Sequence, residues 1–120
     1  MKKYVGVRLS DGPLVSVVDR DTKLASSLDP GLRYVNHSPT GFEWGYGGSG
    51  PAQLAFAILL DHFGNPEVAR AFHQDFKWYV IARLQSAQWE LLEEDVERSI
   101  DAIRLGLQPA KEGSAWQSST

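Results

Sequence analysis

The chain has 120 residues, 42% of them hydrophobic and 11% aromatic, which is the size and composition of one folded domain and excludes a wholly disordered chain. With 12 Lys and Arg against 15 Asp and Glu, the net charge is −3, and binding of the DNA duplex through bulk positive charge is excluded. The absence of cysteine excludes disulfides, thiolate metal sites and a cysteine nucleophile.

Neither a signal peptide nor a membrane span is predicted. Charged residues at Arg8, Asp11 and Arg20 interrupt the apolar core that a signal peptide needs. The longest apolar run, Leu54 to Leu60, is far shorter than the roughly 20 residues that cross a bilayer. We therefore expect a cytoplasmic protein without a membrane partner.

The N-terminal part of the chain predicts a small antiparallel sheet. Residues 3 to 9 and 13 to 19 are rich in valine, with the turn formers Ser10-Asp11-Gly12-Pro13 between them. This pattern predicts a β-hairpin with a loop of about four residues. A third strand is predicted from Leu32 to Asn36, and the loop before it has a short strand near Lys23 to Ala25.

The first predicted helix is the central one. Proline is favoured at the first helical position, so Gly50-Pro51 predicts the helix start. The body from Ala52 to Phe63 is apolar almost all round, which is typical of a buried helix. Gly64 stands where a left-handed residue ends a helix.

Two further helices follow. Asn65-Pro66-Glu67 supplies a capping side chain, a proline and a first-turn carboxylate, and predicts a second helix that runs to about Gln85. Apolar residues at helical spacing mark a third helix: Leu92, Val96, Ile100 and Ile103. Strands followed by helices predict an α+β domain over residues 1 to 106, a small N-terminal antiparallel sheet packed on about three C-terminal helices. Residues 107 to 120 are predicted to form a flexible tail.

The glycine-rich stretch before the first helix is the most informative segment. Five of the eleven glycines lie between Gly41 and Gly50, interleaved with Phe42, Trp44 and Tyr46. Flexible linkers seldom carry aromatic residues, so the stretch predicts a shaped loop. It leads into a helix N-terminus, where free backbone N–H groups and the helix dipole attract anions.

The spacing Gly45-Tyr46-Gly47-Gly48-Ser49-Gly50 satisfies G-x-G-x-x-G. A dinucleotide-binding fold requires a strand after the helix, whereas this chain predicts another helix there. A phosphate-binding P-loop fails because Pro51 stands where lysine is required. The alternative to a binding loop is a tight corner that packs on the buried helix and binds nothing.

Several motifs extend through most of the chain, from Tyr4 to Ile103. They are NHSPTGFEWGYGGSGPAQLA, the ILLD that follows it, QDFKW, and a Trp-Glu-Leu before the terminal helix. On these motifs the chain resembles an uncharacterised family of small proteins encoded by bacteria, their phages and mobile elements. The resemblance implies, by analogy, a protein that neutralises host defence by sequestering a nucleotide messenger or by occluding a defence protein.

The leading hypothesis is a non-enzymatic protein that binds a small anionic ligand, such as a nucleotide, at this loop. Amides near Ser49 and Gly50 hold the anion, Trp44 or Tyr46 offers a stacking face, and Arg8 is a counter-charge from the sheet. The predicted ligand-binding residues are Arg8, His37, Ser38, Thr40, Glu43, Trp44, Tyr46, Gly47, Gly48, Ser49, Gly50 and Gln53.

Two rival functions remain open. One is a protein-interaction module that inhibits a host enzyme and uses the aromatic loop as its hot spot. The other is a small hydrolase that uses His37 and Glu43, although no histidine spacing matches a zinc site or a catalytic triad. No catalytic residue, cofactor or metal is predicted, and the sequence leaves a homo-oligomer open.

Overall fold

The structure is a computed structural model that describes residues 1 to 108. The elements in chain order are β1 (Lys2–Leu9), β2 (Gly12–Asp19), β3 (Ala25–Ser27), α1 (Ser49–Phe63), α2 (Pro66–Tyr79), a 3-10 turn (Ile81–Arg83), β4 (Gln88–Leu92) and α3 (Glu93–Arg104). The predicted α+β class is therefore confirmed. From residue 109 onwards, the predicted tail lies outside the described residues. None of the described helices has the length and apolar content that crossing a bilayer requires.

The strands form one antiparallel sheet in the order β3-β2-β1-β4. Leu9 pairs with Gly12 at the end of the β1–β2 hairpin, so only Ser10 and Asp11 form the turn, instead of the predicted four residues. Gly12 has a φ of 124°, a value open to glycine, and the chain can enter β2 directly after the short turn.

The predicted strand from Leu32 to Asn36 is wrong. The backbone turns at Gly31, which has a φ of 71°, and its carbonyl oxygen accepts from the amides of Tyr34 and Val35. Because the segment bonds to itself, it has no neighbouring strand. The third strand is the short β3, which starts at the end of the predicted Lys23 to Ala25 strand and pairs with β2.

The second helix ends at Tyr79, so its predicted extension to Gln85 is wrong. The 3-10 turn follows, and Leu84 leaves it in an extended conformation. Val80, Ile81 and Leu84 are all buried. Their apolar side chains fill the core from this turn and continue the spacing of the apolar residues in α2. Sequence periodicity does not distinguish such a turn from a further turn of helix.

Strand β4 is missing from the sequence analysis. It pairs with β1 from Lys3↔Leu92 to Val7↔Gln88, and its Trp89 and Leu91 are fully buried, whereas Gln88 and Glu90 are exposed. The indole of Trp89 occupies the space where a side chain at position 6 would lie, so Gly6 is required in β1. The alternation of polar and apolar residues in Gln88-Trp89-Glu90-Leu91 is the sequence signal that could have predicted this strand.

Helix α1 is the centre of the core, as predicted. Every residue from Gly50 to Leu59 is buried, and Gly64 ends the helix in the left-handed conformation. The predicted cap of α2 is also confirmed, since the Asn65 side chain accepts from the amides of Glu67 and Val68. The sheet, the helices and the loop residue Trp44 share one apolar cluster. The glycine-rich loop is thereby attached to the central helix and to the sheet.

Candidate functional site

The start of the glycine-rich loop is anchored in the core. Trp44 is 3% exposed, its Nε1 donates to the carbonyl oxygen of Ser86 at 3.0 Å, and its ring meets Trp89 edge to face at 5.5 Å. Gly45, with a φ of 92°, donates its amide to the Ile81 carbonyl. Of the two residues predicted for stacking, the structure buries Trp44 and leaves Tyr46 exposed.

Arg8 and Glu43 form an ion pair that closes over this anchor. Arg8 Nη1 lies 2.6 Å from Glu43 Oε1, and the guanidinium carbon is 4.5 Å from the centroid of the Trp44 ring. A Cβ at position 50 would lie 2.8 Å from Glu43 Cβ, so this side chain covers Gly50. The positive charge predicted to face a ligand from the sheet therefore has an internal partner.

Gln53 is a buried clamp for the segment before the loop. Its Oε1 accepts from the amides of His37 and Ser38 at 2.7 and 3.1 Å, and its Nε2 donates to the carbonyls of Pro30 and Val35. These four bonds satisfy the amide group completely. The fully buried Gln53 side chain thus holds backbone and does not face solvent.

The remaining polar residues of the predicted ligand-binding site differ in their contacts. Ser38 Oγ donates to the carbonyl of Gly41 at 2.8 Å, whereas Thr40 is exposed and makes no hydrogen bond to any described residue. His37 and Glu43, the pair named for a hydrolase, have separate partners, His73 and Arg8. Hydrolysis by such a pair requires that nucleophile and base contact each other, and no hydrogen bond joins His37 to Glu43.

Two aromatic side chains cover the next glycines. A Cβ at Gly47 would overlap the indole of Trp78, and one at Gly48 would overlap the ring of Tyr46. Tyr46 is 52% exposed and Trp78 is 60% exposed, so both rings also offer a surface to solvent. Trp78 is absent from the predicted site. The signal that distinguishes it is its position outside the helically spaced apolar residues of α2, which are Val68, Phe72, Phe76 and Tyr79.

The first turn of α1 has free backbone donors. The helix begins after Gly48, and no side chain caps it. Pro51 has no N–H, and Ala52 donates to the Gly48 carbonyl. Within residues 1 to 108, the amides of Gly48 and Ser49 have no hydrogen-bond acceptor. Such donors, together with the helix dipole, favour a negative charge.

A buried lysine lies beside this helix start. Lys77 is 8% exposed, and its Nζ is 3.4 Å from the carbonyl oxygen of Gly47 and 4.6 Å from the centroid of the Trp78 ring. No carboxylate of the described residues pairs with it. A buried ammonium without a counter-ion costs free energy. The sequence analysis missed Lys77, because its burial depends on how the loop packs on α2.

One helical turn before Lys77, His73 contacts His37. The two Nε2 atoms are 2.9 Å apart, and His73 Nδ1 is 2.9 Å from the Arg70 carbonyl oxygen. Burial lowers the pKa of His73, and the charges of His37 and Lys77 act in the same direction. His62 lies elsewhere, beside Glu97. Among the described residues, no three potential ligands converge on a metal position.

A groove of about 380 Å³ lies on the other side of Trp78, between α2 and the end of α3. Its lining residues are Asp75, Trp78, Tyr79, Ile103, Gly106, Leu107 and Gln108. Leu105 and Leu107 are exposed at 74% and 57%. Trp78 is therefore shared between the loop and this groove at the end of α3.

The fold and the site define an α+β domain in which a glycine-rich loop and a buried lysine meet at the start of the central helix. The chain belongs to the family of unknown function DUF6166, which matches residues 4–102. This range includes the glycine-rich loop, the start of α1 and Lys77, and it confirms the expected membership in an uncharacterised family. No curated protein and no solved structure shows significant similarity to the chain.

Proposed function

We propose that this chain is a non-enzymatic protein that binds a small anionic ligand where the glycine-rich loop enters α1. The observation that carries the proposal is Lys77, a buried residue whose ammonium lies beside the loop and has no carboxylate partner among the described residues. An anion would supply the missing counter-charge. In this role Lys77 replaces Arg8, whose charge is paired with Glu43.

The lysine contacts the peptide unit that carries the first of the free amides. The Gly47 carbonyl oxygen, 3.4 Å from Lys77 Nζ, belongs to the same peptide unit as the Gly48 amide. The Ser49 amide follows at the exposed first residue of α1. A lysine next to a helix N-terminus is an arrangement that proteins use to bind phosphate.

The aromatic rings beside the anion position favour a ligand that also carries a flat ring. Tyr46 and Trp78 cover Gly48 and Gly47 and remain half exposed. Exposed aromatic rings can stack on a base, which adds affinity without requiring a particular base. A nucleotide combines both features and is the ligand class we propose.

Calorimetric titration with a panel of linear and cyclic nucleotides tests the proposal. We expect at least one nucleotide to bind the wild type and to lose at least tenfold in affinity, about 1.4 kcal/mol, in Lys77→Met. Lys3→Met is the matched control, because Lys3 pairs with Glu90 on the sheet and its removal leaves the site intact. Failure of every nucleotide and of pyrophosphate to bind the wild type would refute the proposal.

The second candidate function is a protein-interaction module, and the apolar surface around Trp78 favours it. An exposed tryptophan at a groove that it shares with the exposed Leu107 is typical of a protein-interaction surface. Native mass spectrometry after expression separates the two functions: a co-purified small molecule supports the first, and a bound protein that Trp78→Ala releases supports the second. The same spectrum reports any homo-oligomer.

The resemblance to proteins of bacteria, phages and mobile elements supports a counter-defence role in the cytoplasm for either function. In the first, the ligand is a nucleotide messenger of host immunity, and in the second, the partner is a defence enzyme. Expression of the chain in a bacterium with a nucleotide-signalling defence should restore phage plating. Lys77→Met should abolish the restoration if the ligand is the messenger.

A further inference from the structure

The contact between His37 and His73 joins two parts of the chain that secondary structure does not connect. His37 lies in the irregular segment 31–48, and His73 lies on α2. The ring centroids are 5.1 Å apart and the Nε2 atoms 2.9 Å apart, so the two rings point at each other almost head-on. This geometry is that of a direct hydrogen bond, since two ligands of one metal ion would instead converge at an angle.

Only one hydrogen atom fits between the two Nε2 atoms. The Arg70 carbonyl oxygen next to His73 Nδ1 requires a hydrogen on that nitrogen. Neutral His73 therefore presents a lone pair at Nε2, and His37 donates its Nε2–H to it. A proton added to His37 goes to Nδ1 and leaves the bond intact. A proton added to His73 goes to Nε2 and breaks it.

The groups that face the two histidines provide little to balance the positive charge of a second protonated imidazole. From α2 come Lys77 and Arg70, whose guanidinium donates to the Tyr34 carbonyl at 3.2 Å. From α1 come the uncharged Phe56, edge-on to His73 at 5.6 Å, and the amide of Gln53. Within the part of the chain that is described, no carboxylate pairs with either histidine. Protonation of both imidazoles therefore places two positive charges next to each other.

We propose that the His37–His73 contact is a proton-operated latch, which holds the segment 31–48 on α2 while His73 is neutral and releases it when both imidazoles are protonated. The latch does not depend on the proposed ligand. Since burial lowers the pKa of His73 below its usual 6.5, release begins on the acidic side of that value. The Gln53 bonds to the amides of His37 and Ser38 carry no titratable group, so they open with pH only when the latch releases.

Hydrogen exchange and nitrogen NMR test the latch together. Multiple-bond ¹H–¹⁵N spectra at neutral pH should show His73 protonated on Nδ1 and His37 on Nε2. On acidification to about pH 5, exchange of the His37 and Ser38 amides, corrected for the intrinsic rate, should rise about tenfold. The rise should follow the protonation of His73 on its second ring nitrogen. Unchanged exchange across that titration would overturn the proposal, as would the opposite tautomers.

Two variants separate the latch from a general effect of acid. In His73→Gln the side-chain oxygen can accept from His37 but does not titrate, so the acid-induced rise should vanish. His62→Gln removes a histidine outside the latch, beside Glu97, and should retain the rise. If His73→Gln loosens the segment already at neutral pH, His37→Gln, which keeps a donor for His73, takes its place. An acid-induced rise that persists in the non-titrating variant contradicts the latch.

Discussion

The ammonium nitrogen of Lys77 lies 3.4 Å from the carbonyl oxygen of Gly47, a contact that connects the last turn of α2 to the loop in front of α1. The indole of Trp78 packs against the same glycine. Two consecutive residues of α2 thus enclose one peptide unit of the loop. This enclosure leaves the helix start with a nearby positive charge and exposed aromatic rings.

The unpaired charge of Lys77 makes a prediction about stability. Replacing Lys77 with Met removes a buried ammonium while keeping most of the packing, so the free energy of unfolding should rise by about 1 kcal/mol in the absence of ligand. Lys3→Met, which breaks an ion pair near the surface, should change it by no more than about 0.5 kcal/mol. Urea denaturation measures both. A less stable Lys77→Met protein would show that the contacts of the ammonium with Gly47 and Trp78 outweigh the cost of its burial.

The two tryptophans near the loop should respond very differently to truncation. Trp44→Ala removes a buried ring and its bond to the Ser86 carbonyl, and should cost about 3–5 kcal/mol. Trp78→Ala removes a ring that is 60% exposed and should cost under about 1.5 kcal/mol. Thermal and urea unfolding check the difference. Equal losses would mean that the loop is not anchored through Trp44.

The buried hydroxyl of Tyr4 leads us to expect that the free energy of unfolding falls in alkali. Its hydroxyl donates to Asp61 Oδ2 at 2.8 Å, and burial together with that carboxylate raises the pKa of Tyr4 well above its usual 10.0. A raised pKa means that the folded state retains a proton that the unfolded state loses. The free energy of unfolding should therefore fall as pH rises above 10.0. The contribution should disappear in Tyr4→Phe and persist in the control Tyr46→Phe, whose ring is exposed.

The buried imidazole of His73 leads us to expect that the free energy of unfolding falls in acid. Because burial lowers its pKa in the folded state, the unfolded state binds a proton first as the pH falls. The free energy of unfolding should be constant with respect to this group above about pH 7 and should fall as the pH decreases below 6.5. His73→Gln should reduce the slope, as measured by urea denaturation at several pH values. An identical slope in the variant would assign the acid sensitivity to other groups.

Local signals predicted the helices well. The Asn65 cap, the Gly64 end and the apolar body of α1 depend on neighbours in the chain, and the structure has all three. The segments that failed depend on distant partners. Strand β4 is identified by its pairing with β1, and the residues from Leu32 to Asn36 lack a strand beside them although their composition suits one.

The candidate site was predictable only in its location. Trp44 and Tyr46 are two positions apart in the same loop, and their sequence context gives no reason for one to be buried and the other exposed. The packing of Ser86 and Trp89 decides that difference. Lys77 resembles an ordinary surface lysine in the sequence, because nothing local indicates that the loop will cover it.

The most direct test of the account follows the amides of Gly48 and Ser49 by NMR during titration with a nucleotide. Shifts that saturate at these two amides in the wild type and in Lys3→Met, and that are absent in Lys77→Met, are the predicted result. Undisturbed amides in the wild type at saturating nucleotide and pyrophosphate, or shifts that are the same in Lys77→Met, would contradict it.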